Sequence, residues 1–464
     1  MRFYFIFIFF AFVQLLNAQQ SFTINSINIE GNKTTKEQTI LRELAFEIGD
    51  TLSLEEFYSK LNQSELNISS QWLFNFIDFI PIIKNYSIDL NIKVVERWYV
   101  WPYPILEISE RNFNVFWDSL KASNFTDYSR INYGVFLNWY NFRGRNELLK
   151  IKFRKGYKEH YLFEYDIPYI NRSKTLGAIF IYELFRMRQF HYNTKNNKLL
   201  YTSVDNDYLK NNNIIFTLQY KNKLNTTHRL NIKHSTIKCP EDILSLNTNF
   251  LPNQRSTFQY SQLDYHYENE KRNSVSYPTK GNFNELILSL YNGISNEFNN
   301  ISLSGKTEHH FNLSPRLFFG SSLKFKYQSN SDLPYILNES LGFEDYLRGY
   351  EYYVIDGQHF GISKSAIKYE LIPKTLLQLP YFKREEFNKS FYSVYLSIFA
   401  DMGKVIDQSK QHITEVDNPL NNLFLFSQGV SLDIVTYYDK LLRLEYSRNH
   451  LNEWGFFIHF SNPF

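Results

Sequence analysis

The stretch Ser393-Val-Tyr-Leu-Ser-Ile-Phe-Ala-Asp-Met-Gly403 alternates between two kinds of side chain. One parity is apolar and consists of Tyr392, Val394, Leu396, Ile398 and Ala400. Asp401 has the other parity, which it shares with Ser393, Tyr395 and Ser397. Because successive side chains of a β-strand point to opposite faces, the stretch predicts a strand with one apolar face and one polar face, and it places Asp401 on the polar face.

The same alternation recurs along residues 119–464, where apolar side chains of one parity stand opposite charged or polar ones. The apolar sets are Leu149, Ile151 and Phe153; Ile214, Phe216, Leu218 and Tyr220; Leu286, Leu288 and Leu290; Leu323, Phe325 and Tyr327; and Leu442, Leu444 and Tyr446. Strands between lipid and a wet lumen have this pattern, so the sequence predicts a transmembrane antiparallel β-barrel. A soluble β-sandwich also alternates, but it seldom places so many Phe and Tyr opposite Lys and Arg. The length allows about 12 to 18 strands.

The composition agrees with a barrel. Aromatic residues make up 18% of the 464 residues, yet the mean hydropathy is −0.39. A barrel hides its apolar residues at every second position, whereas a helical membrane protein shows long apolar runs. The net charge of +3 gives no electrostatic reason to expect nucleic-acid binding.

The first residues contain the one long apolar run, from Phe3 to Leu16, after Arg2 and before Ala18. A basic residue, a short apolar run and a small residue predict a secretory signal peptide over residues 1–18. The alternative is an N-terminal membrane anchor, although the run is shorter than a spanning helix needs. The single cysteine, Cys239, excludes an intramolecular disulfide.

Residues 21–97 predict a small α/β domain in the order β-α-α-β-β. Alternating strands are predicted at Phe22–Glu30, 76–83 and 87–96. One helix is predicted from Thr35 towards Gly49. A second is predicted to start at Ser53, because Glu56 follows it with capping-box spacing.

Residues 98–118 begin with Trp98-Tyr-Val-Trp-Pro-Tyr-Pro104 and predict a connector at the membrane interface. An ordinary aromatic linker is the alternative for this connector.

The stretch Leu341-Gly-Phe-Glu-Asp-Tyr-Leu-Arg-Gly-Tyr350 lies between two alternating segments and predicts a loop. Gly349 can adopt a positive φ, and Arg348 offers a planar charged fork suited to a carboxylate. We expect Arg348, Gly349 and Tyr350 to form a latch in the lumen with Asp401. A solvated turn is the alternative.

The C-terminal stretch Glu453-Trp-Gly-Phe-Phe-Ile-His-Phe460 has a defined spacing: Gly455 follows the polar Glu453 by two residues, and Ile458 and Phe460 lie three and five residues further on. Phe464 has the parity of Phe460. This spacing is that of the signal by which outer-membrane barrels are recognised for insertion, so we expect these residues to have that role. The alternative is an ordinary last strand.

Residues 22–97 resemble a POTRA (polypeptide-transport-associated) domain in their element order, their Ile29-Glu-Gly-Asn32 turn and their last strand. Four further stretches have the family's motifs: Arg348-Gly349-Tyr350, Tyr277-Pro-Thr-Lys-Gly281, Phe399-Ala-Asp-Met-Gly403 and Gly429-Val-Ser-Leu-Asp433. With these, the whole chain resembles the POTRA-plus-barrel outer-membrane assembly and translocation superfamily, of BamA and TamA type. This resemblance implies sixteen strands, a weak seam between the first and last strands, and contact between Arg348 and Asp401. Two departures are Leu347, where the family often has valine, and the presence of a single POTRA-like domain.

The resemblance implies that the protein helps to insert or assemble β-barrel proteins, or to translocate polypeptides or lipids, at the bacterial outer membrane. The POTRA domain would lie in the periplasm and its edge strand would capture unfolded barrel or secreted polypeptides. Other expected partners are outer-membrane lipids and periplasmic chaperones or accessory subunits. The alternative function is a passive pore or surface antigen with an inward-folded loop, which would have no need of a periplasmic domain.

Motifs for catalysis or metal binding are missing from the sequence. It has no Gly-rich phosphate loop, HExxH, paired-cysteine spacing or Gly-x-Ser-x-Gly. His309-His310 has no partners at a fixed spacing. We therefore expect no enzymatic activity, no catalytic or metal-binding residues and no cofactor.

Overall fold

The structure is a computed structural model that describes residues 21–461, apart from 72, 109–111, 129, 172, 204–206, 224, 295–297, 379–388, 410–417 and 437–439. The predicted signal peptide over 1–18 and the C-terminal Phe464 lie outside the described residues. Within the described part, the strands form a four-stranded, a two-stranded and a 16-stranded sheet. The chain divides into two compact units, each of which is described by itself below.

The four-stranded sheet belongs to the small N-terminal domain and has the order β2-β1-β4-β3. Its strands are β1 Ser21–Glu30, β2 Thr51–Ser53, β3 Phe74–Lys84 and β4 Ser87–Glu96, and its helices are α1 Glu37–Leu41 and α2 Leu54–Ser70. Strand β4 pairs in parallel with β1 and antiparallel with β3. The alternate residues Ile88, Leu90 and Ile92 of β4 are fully buried in the core of this domain.

The helices of this domain test two details of the sequence prediction. The capping box at α2 is present: Ser53 Oγ accepts from the Glu56 amide at 3.3 Å, and Glu56 Oε2 accepts from the Ser53 amide at 3.0 Å. The helix predicted from Thr35 towards Gly49 is shorter, since α1 ends at Leu41. The chain turns after α1 and buries Phe46 in the core, and this burial outweighs the local helical pattern.

The first compact unit also includes Leu137–Lys150 and Tyr165–Pro168. Within it, the carbonyl of Gly144 accepts hydrogen bonds from the Lys36 amide and from Thr39 Oγ1, both at 2.9 Å. Gly144 has a φ of +73°, and a Cβ there would lie 2.1 Å from the carbonyl oxygen of Thr34. This turn therefore requires glycine, because any larger residue would collide with the main chain that Gly144 contacts.

The 16-stranded sheet has the order β22-β21-β20-β19-β18-β17-β16-β15-β14-β13-β12-β9-β8-β7-β6-β5. Its strands are β5 Val100–Ile108, β6 Ile131–Phe142, β7 Glu147–Gly156, β8 Lys158–Ile167, β9 Leu176–Met187, β12 Leu209–Lys223, β13 Thr226–Lys238, β14 Thr257–Glu270, β15 Gly281–Gly293, β16 Asn299–Ser314, β17 Leu317–Gln328, β18 His359–Gln378, β19 Lys389–Ile406, β20 Phe424–Thr436, β21 Lys440–Asn449 and β22 Trp454–Ser461. The strand number agrees with the sixteen implied by the resemblance.

The residues predicted as a connector, 98–118, contain regular structure, and their role as a connector stays a prediction. Residues 100–108 form strand β5, an end strand of the 16-stranded sheet, and Phe113–Ala122 form helix α3. Strand β5 contains Pro102 and Pro104. An end strand tolerates proline because one side of it needs no ladder hydrogen bonds.

Strand β19 has one exposed apolar face and one buried polar face, as its sequence pattern predicts. The side chain of Ile398 is 64% exposed, while Ser397 and Asp401 on the other face are buried. Leu396 and Met402 are exposed on the face of Ile398, as expected for a lipid-facing surface. No helix in the described part is long and apolar enough to cross a membrane.

The remaining elements lie between the long strands. They are the two-stranded sheet of β10 Gln189–Lys195 and β11 Lys198–Ser203, helix α4 Glu241–Leu246, and the 3-10 helices Pro252–Gln254 and Tyr335–Leu337. The segment 329–358 between β17 and β18 is called the long loop here.

Candidate functional site

The tip of the long loop packs on the polar face of the last strands. Gly349 has a φ of +82°, and a Cβ there would lie 3.4 Å from Ser447 Oγ and 3.5 Å from Ser427 Cβ. Ser427 belongs to β20 and Ser447 to β21. A positive φ and this close approach both favour glycine at this position.

Arg348 and Asp401 form a buried ion pair. Arg348 Nε donates to Asp401 Oδ2 at 2.8 Å, Arg348 Nη2 donates to Asp401 Oδ1, and the Arg348 amide donates to Oδ2 at 3.3 Å. Arg348 is 6% exposed and Asp401 is fully buried. The guanidinium also lies over the Phe399 ring, with Cζ 3.8 Å from the ring centroid. A bidentate, charge-assisted pair of this kind fixes both position and orientation.

Tyr350 and Gly349 add neutral contacts to the same tip. The Tyr350 hydroxyl donates to the carbonyl of Phe426 at 3.0 Å and lies 2.6 Å from Nδ1 of His450. Asn449 Nδ2 donates to the carbonyl of Gly349 at 3.1 Å. The structure thus brings Arg348, Gly349 and Tyr350 together against β19, β20 and the end of β21. Their role as a latch remains a prediction.

A second buried acid, Asp433 on β20, lies on the same face. Its carboxylate accepts from Arg443 Nε at 2.7 Å and from the Tyr277 hydroxyl at 2.9 Å. Lys368 Nζ donates to the carbonyl of Pro278 at 3.1 Å. The turn Tyr277-Pro-Thr-Lys-Gly281 is thereby attached to the last strands through Asp433.

A third group on this face consists of Glu351, Glu445 and His459. His459 Nε2 lies 3.3 Å from Glu351 Oε1 and 3.8 Å from Glu445 Oε2. Glu351, in the long loop, is 1% exposed. Burial raises the pKa of Glu351 to about 8, although the positive charges of Lys364 and Arg348 oppose the shift.

The end strand β22 carries most of the predicted C-terminal signal. Both carboxylate oxygens of Glu453 accept from the Tyr353 hydroxyl, at 2.8 and 2.9 Å. Gly455 leaves space for the ring of Phe457, which would lie 2.3 Å from an added Cβ. The ring of Phe460 packs edge-on against Phe113 of α3 at 5.4 Å. The recognition role of these residues remains a prediction.

The main chain of Ile458 in β22 is paired with a side chain. The Ile458 amide donates to Asn114 Oδ1 at 2.8 Å, and Asn114 Nδ2 donates to the Ile458 carbonyl at 3.2 Å. The Asn114 amide group thus makes the two hydrogen bonds that a neighbouring strand would make. Asn114 belongs to α3, so this helix covers part of the end strand.

Sequence reasoning missed Asn114 and the group of Glu351, Glu445 and His459. Glu445 and Arg443 alternate with the apolar set Leu442, Leu444 and Tyr446, so the sequence pattern puts them on the polar face of the strand. No spacing links residues 351, 445 and 459, because they meet only when the long loop folds onto β21 and β22. Asn114 fell in the supposed connector, where no strand partner was expected.

The comparisons with known proteins decide the family. A family model described as the Omp85 superfamily domain matches residues 141–447, more than half of the chain. The chain belongs to the Omp85 superfamily. A POTRA model, described as surface antigen variable number repeat, matches residues 22–97 of this Omp85 protein. The superfamily predicted from the sequence, and the barrel preceded by a POTRA domain, are therefore confirmed.

Solved structures share this fold with the Omp85 protein. BamA from Haemophilus ducreyi lacking POTRA domains 1–3 is 16% identical, with a TM-score of 0.64 and coverage of 95% of this chain and 84% of that chain. CdiB from Acinetobacter baumannii is 12% identical, with a TM-score of 0.54 and coverage of 95% and 74%. Among the curated proteins, none matches in sequence. Superfamily membership implies a bacterial outer-membrane barrel with a periplasmic POTRA domain, and a general role in outer-membrane assembly or translocation.

Proposed function

We propose that this Omp85 protein assists the insertion of β-barrel proteins into the outer membrane, or the translocation of polypeptides across it. The POTRA domain captures an extended client segment, and the end strand β22 of the barrel offers it a pairing edge. The mechanism uses hydrogen bonding and membrane positioning, and it requires no catalytic residue.

The observation that carries the proposal is the pairing of Ile458 with Asn114. It supports the view that main-chain groups of β22 point away from β21 and are available to a partner. The Asn114 side chain forms hydrogen bonds with the main chain of one residue of this edge, whereas a client strand would form them with several residues. A client can therefore displace α3 at a cost of two hydrogen bonds, each of which contributes about 0.5–1.5 kcal/mol net.

The POTRA domain supplies the second edge. Strand β3 is an end strand of its sheet and exposes Phe76, Ile80 and Ile82. An end strand presents main-chain donors and acceptors that an extended peptide can pair with, and exposed apolar side chains beside it add contact area. This arrangement tolerates many client sequences because most of the affinity comes from the main chain.

Site-specific cross-linking in the native bacterium tests this proposal. A thiol-reactive photo-cross-linker is attached to Ile82→Cys on β3, and Leu66→Cys on α2 is the matched control, since Leu66 is also exposed. The native Cys239 is buried and gives little background. We expect newly exported outer-membrane polypeptides, identified by mass spectrometry, to cross-link to position 82 and much less to position 66. Equal labelling at the two positions, or labelling by mature barrels alone, would contradict capture by β3.

A further inference from the structure

The long loop and the last two strands bring three potential metal ligands together. Glu351 follows the loop tip by one residue, Glu445 lies on β21 and His459 lies on β22. One ligand atom from each residue can be chosen so that all three atoms lie within 4.8 Å of one another. The site is distinct from the Arg348–Asp401 pair, because none of the three residues takes part in that pair.

The three side chains are buried without adequate hydrogen-bond partners. Within the described residues, neither carboxylate oxygen of Glu351 has a partner with hydrogen-bond geometry, and the same holds for Glu445 Oε2 and His459 Nε2. Glu351 is 1% exposed and Glu445 is fully buried. An ionised carboxylate that is buried without a partner costs several kcal/mol on the order-of-magnitude scale for buried ions, and a cation bound at this position would remove that cost.

The neighbouring protein cations are engaged by other groups. Arg348 is paired with Asp401 and Arg443 with Asp433. Lys364 stands opposite Asp401 in the strand register and has its Nζ 4.4 Å from the centroid of the Tyr346 ring. A proton on His459 would give one positive charge for two carboxylates, whereas a divalent cation supplies two charges at the point where the three ligand atoms converge.

The distances fit one small ion. Two ligand atoms bound at about 2.0–2.1 Å to a tetrahedral ion lie roughly 3.3–3.4 Å apart. The observed separations from His459 Nε2 are 3.3 Å to Glu351 and 3.8 Å to Glu445, and all three ligand atoms lie within 4.8 Å of one another, so binding requires the two carboxylates to draw closer together. Three protein ligands would leave a fourth position for water, as in zinc sites with an open coordination position.

Other contacts already orient the ligands. Ser447 Oγ donates to Glu445 Oε1 at 3.0 Å, which leaves Oε2 directed at the group. The His459 ring stacks on Tyr346 at a centroid distance of 5.5 Å, and the Tyr346 hydroxyl lies 3.5 Å from His459 Nδ1. Metal-binding carboxylates and imidazoles are commonly held by such partners on the atom that does not bind the metal.

We propose that Glu351, Glu445 and His459 bind a divalent transition-metal ion, of which Zn²⁺ is the best match to one imidazole and two carboxylates. The ion ties the long loop to both β21 and β22. It would act as a second fastening of the loop, independent of Arg348, and it would restrain the end strand on which the proposed client pairing depends.

The test uses the full-length protein purified in detergent micelles and treated with a chelator. We expect about one Zn²⁺ to bind per chain, measured by equilibrium dialysis and elemental analysis. The variants Glu351→Gln, Glu445→Gln and His459→Gln should each weaken binding at least about tenfold. Glu308→Gln is the matched control: Glu308 is also buried against a histidine, but Arg272 and Lys306 already pair with it. This control should bind Zn²⁺ as the wild type does.

A variant that fails to fold would lose its heat-modifiable migration in electrophoresis. In that case a second measurement, made on the wild-type protein, tests the metal site. Co²⁺ added to the wild-type protein should give the visible absorption of a tetrahedral site, and Zn²⁺ should abolish that absorption. Three results would overturn the proposal: no Zn²⁺ binding by the wild type, equal binding by the three variants and the control, or stability that responds to pH but not to metal. The last of these would show that protonation, and not a metal ion, neutralises the group.

Discussion

Asp401 and Glu445 lie on the same polar face of the barrel sheet and are both completely buried, yet their partners differ. Asp401 accepts three hydrogen bonds from Arg348. Glu445 accepts one from Ser447, and its other oxygen faces Glu351 and His459. Equal burial therefore has different electrostatic consequences: Asp401 completes an ion pair with an arginine, whereas Glu445 has no arginine or lysine partner among the residues that the structure describes.

The difference shows which parts of the long loop are fixed by the protein alone. The Arg348–Asp401 pair needs nothing from outside, so we expect it to hold the loop tip under all conditions that keep the barrel folded. How firmly the loop is held at Glu351 depends on which group balances the charge of its carboxylate. The following predictions test this contrast, beginning with the largest expected effect.

Removing the carboxylate from the completed pair should have the largest effect on stability. We expect Asp401→Ala to lower the free energy of unfolding by about 3–5 kcal/mol, because Arg348 is left buried and unpaired. The measurement is urea unfolding of the protein reconstituted in lipid vesicles. Glu107→Ala is the control, since the side chain of Glu107 is 44% exposed in its pair with Arg154 and its removal should cost about 0–1 kcal/mol. Equal costs for the two variants would remove the distinction between Asp401 and an ordinary surface acid.

A double-mutant cycle then isolates the pair itself. Arg348→Ala and Asp401→Ala should each loosen the loop, and the double variant should be milder than the sum of the single variants by about 1–3 kcal/mol. The same unfolding assay measures this coupling. If the single effects simply add, Arg348 and Asp401 stabilise the protein separately and the latch interpretation fails.

Removing only the charge compares the two carboxylates most directly. Asp401→Asn should remain strongly destabilising, while Glu445→Gln in chelator-treated protein should change the free energy of unfolding by less than about 1 kcal/mol, or increase it, because an unbalanced buried charge is removed. The protein must be treated with a chelator, because bound Zn²⁺ would make the Glu445 carboxylate contribute to the free energy of unfolding. A large loss for Glu445→Gln without metal would mean that the protein already balances this charge.

The smallest expected effect concerns the end strand that carries His459. Asn114→Ala removes both hydrogen bonds to Ile458, which should speed hydrogen exchange of the Ile458 amide by roughly tenfold while global stability changes by about 1–2 kcal/mol or less. The Leu444 amide in β21 is the internal control and should not change. Unchanged exchange at Ile458 would show that α3 does not protect this edge.

The sequence predicted the features that depend on local period. Alternation around Asp401 gave the strand, its lipid-facing side and the polar side, and the capping spacing of Ser53 and Glu56 gave the start of α2. The family resemblance added the strand number and the contact between Arg348 and Asp401. These features need only short-range patterns or a known motif, so they could be read before the structure.

Features that depend on distant parts of the chain could not be predicted. Strand β5 was not predicted within residues 98–118, because a local pattern that contains Pro102 and Pro104 cannot reveal an end strand, where proline is tolerated. Glu351, Glu445 and His459 meet only through the fold of the long loop. Asn114 imitates a strand with its side chain, and its residue type carries no signal of that role.

Depletion of the protein in the native bacterium tests the proposed function most directly. The measurement is quantification of folded outer-membrane barrels, exported polypeptides and surface lipids, with wild-type and Asp401→Ala proteins supplied for complementation. The proposed function predicts that barrel proteins or secreted polypeptides fall on depletion, and that the wild-type protein restores them while Asp401→Ala restores them poorly. Unchanged polypeptide and lipid profiles with altered uptake of small solutes would contradict it and would indicate a passive pore.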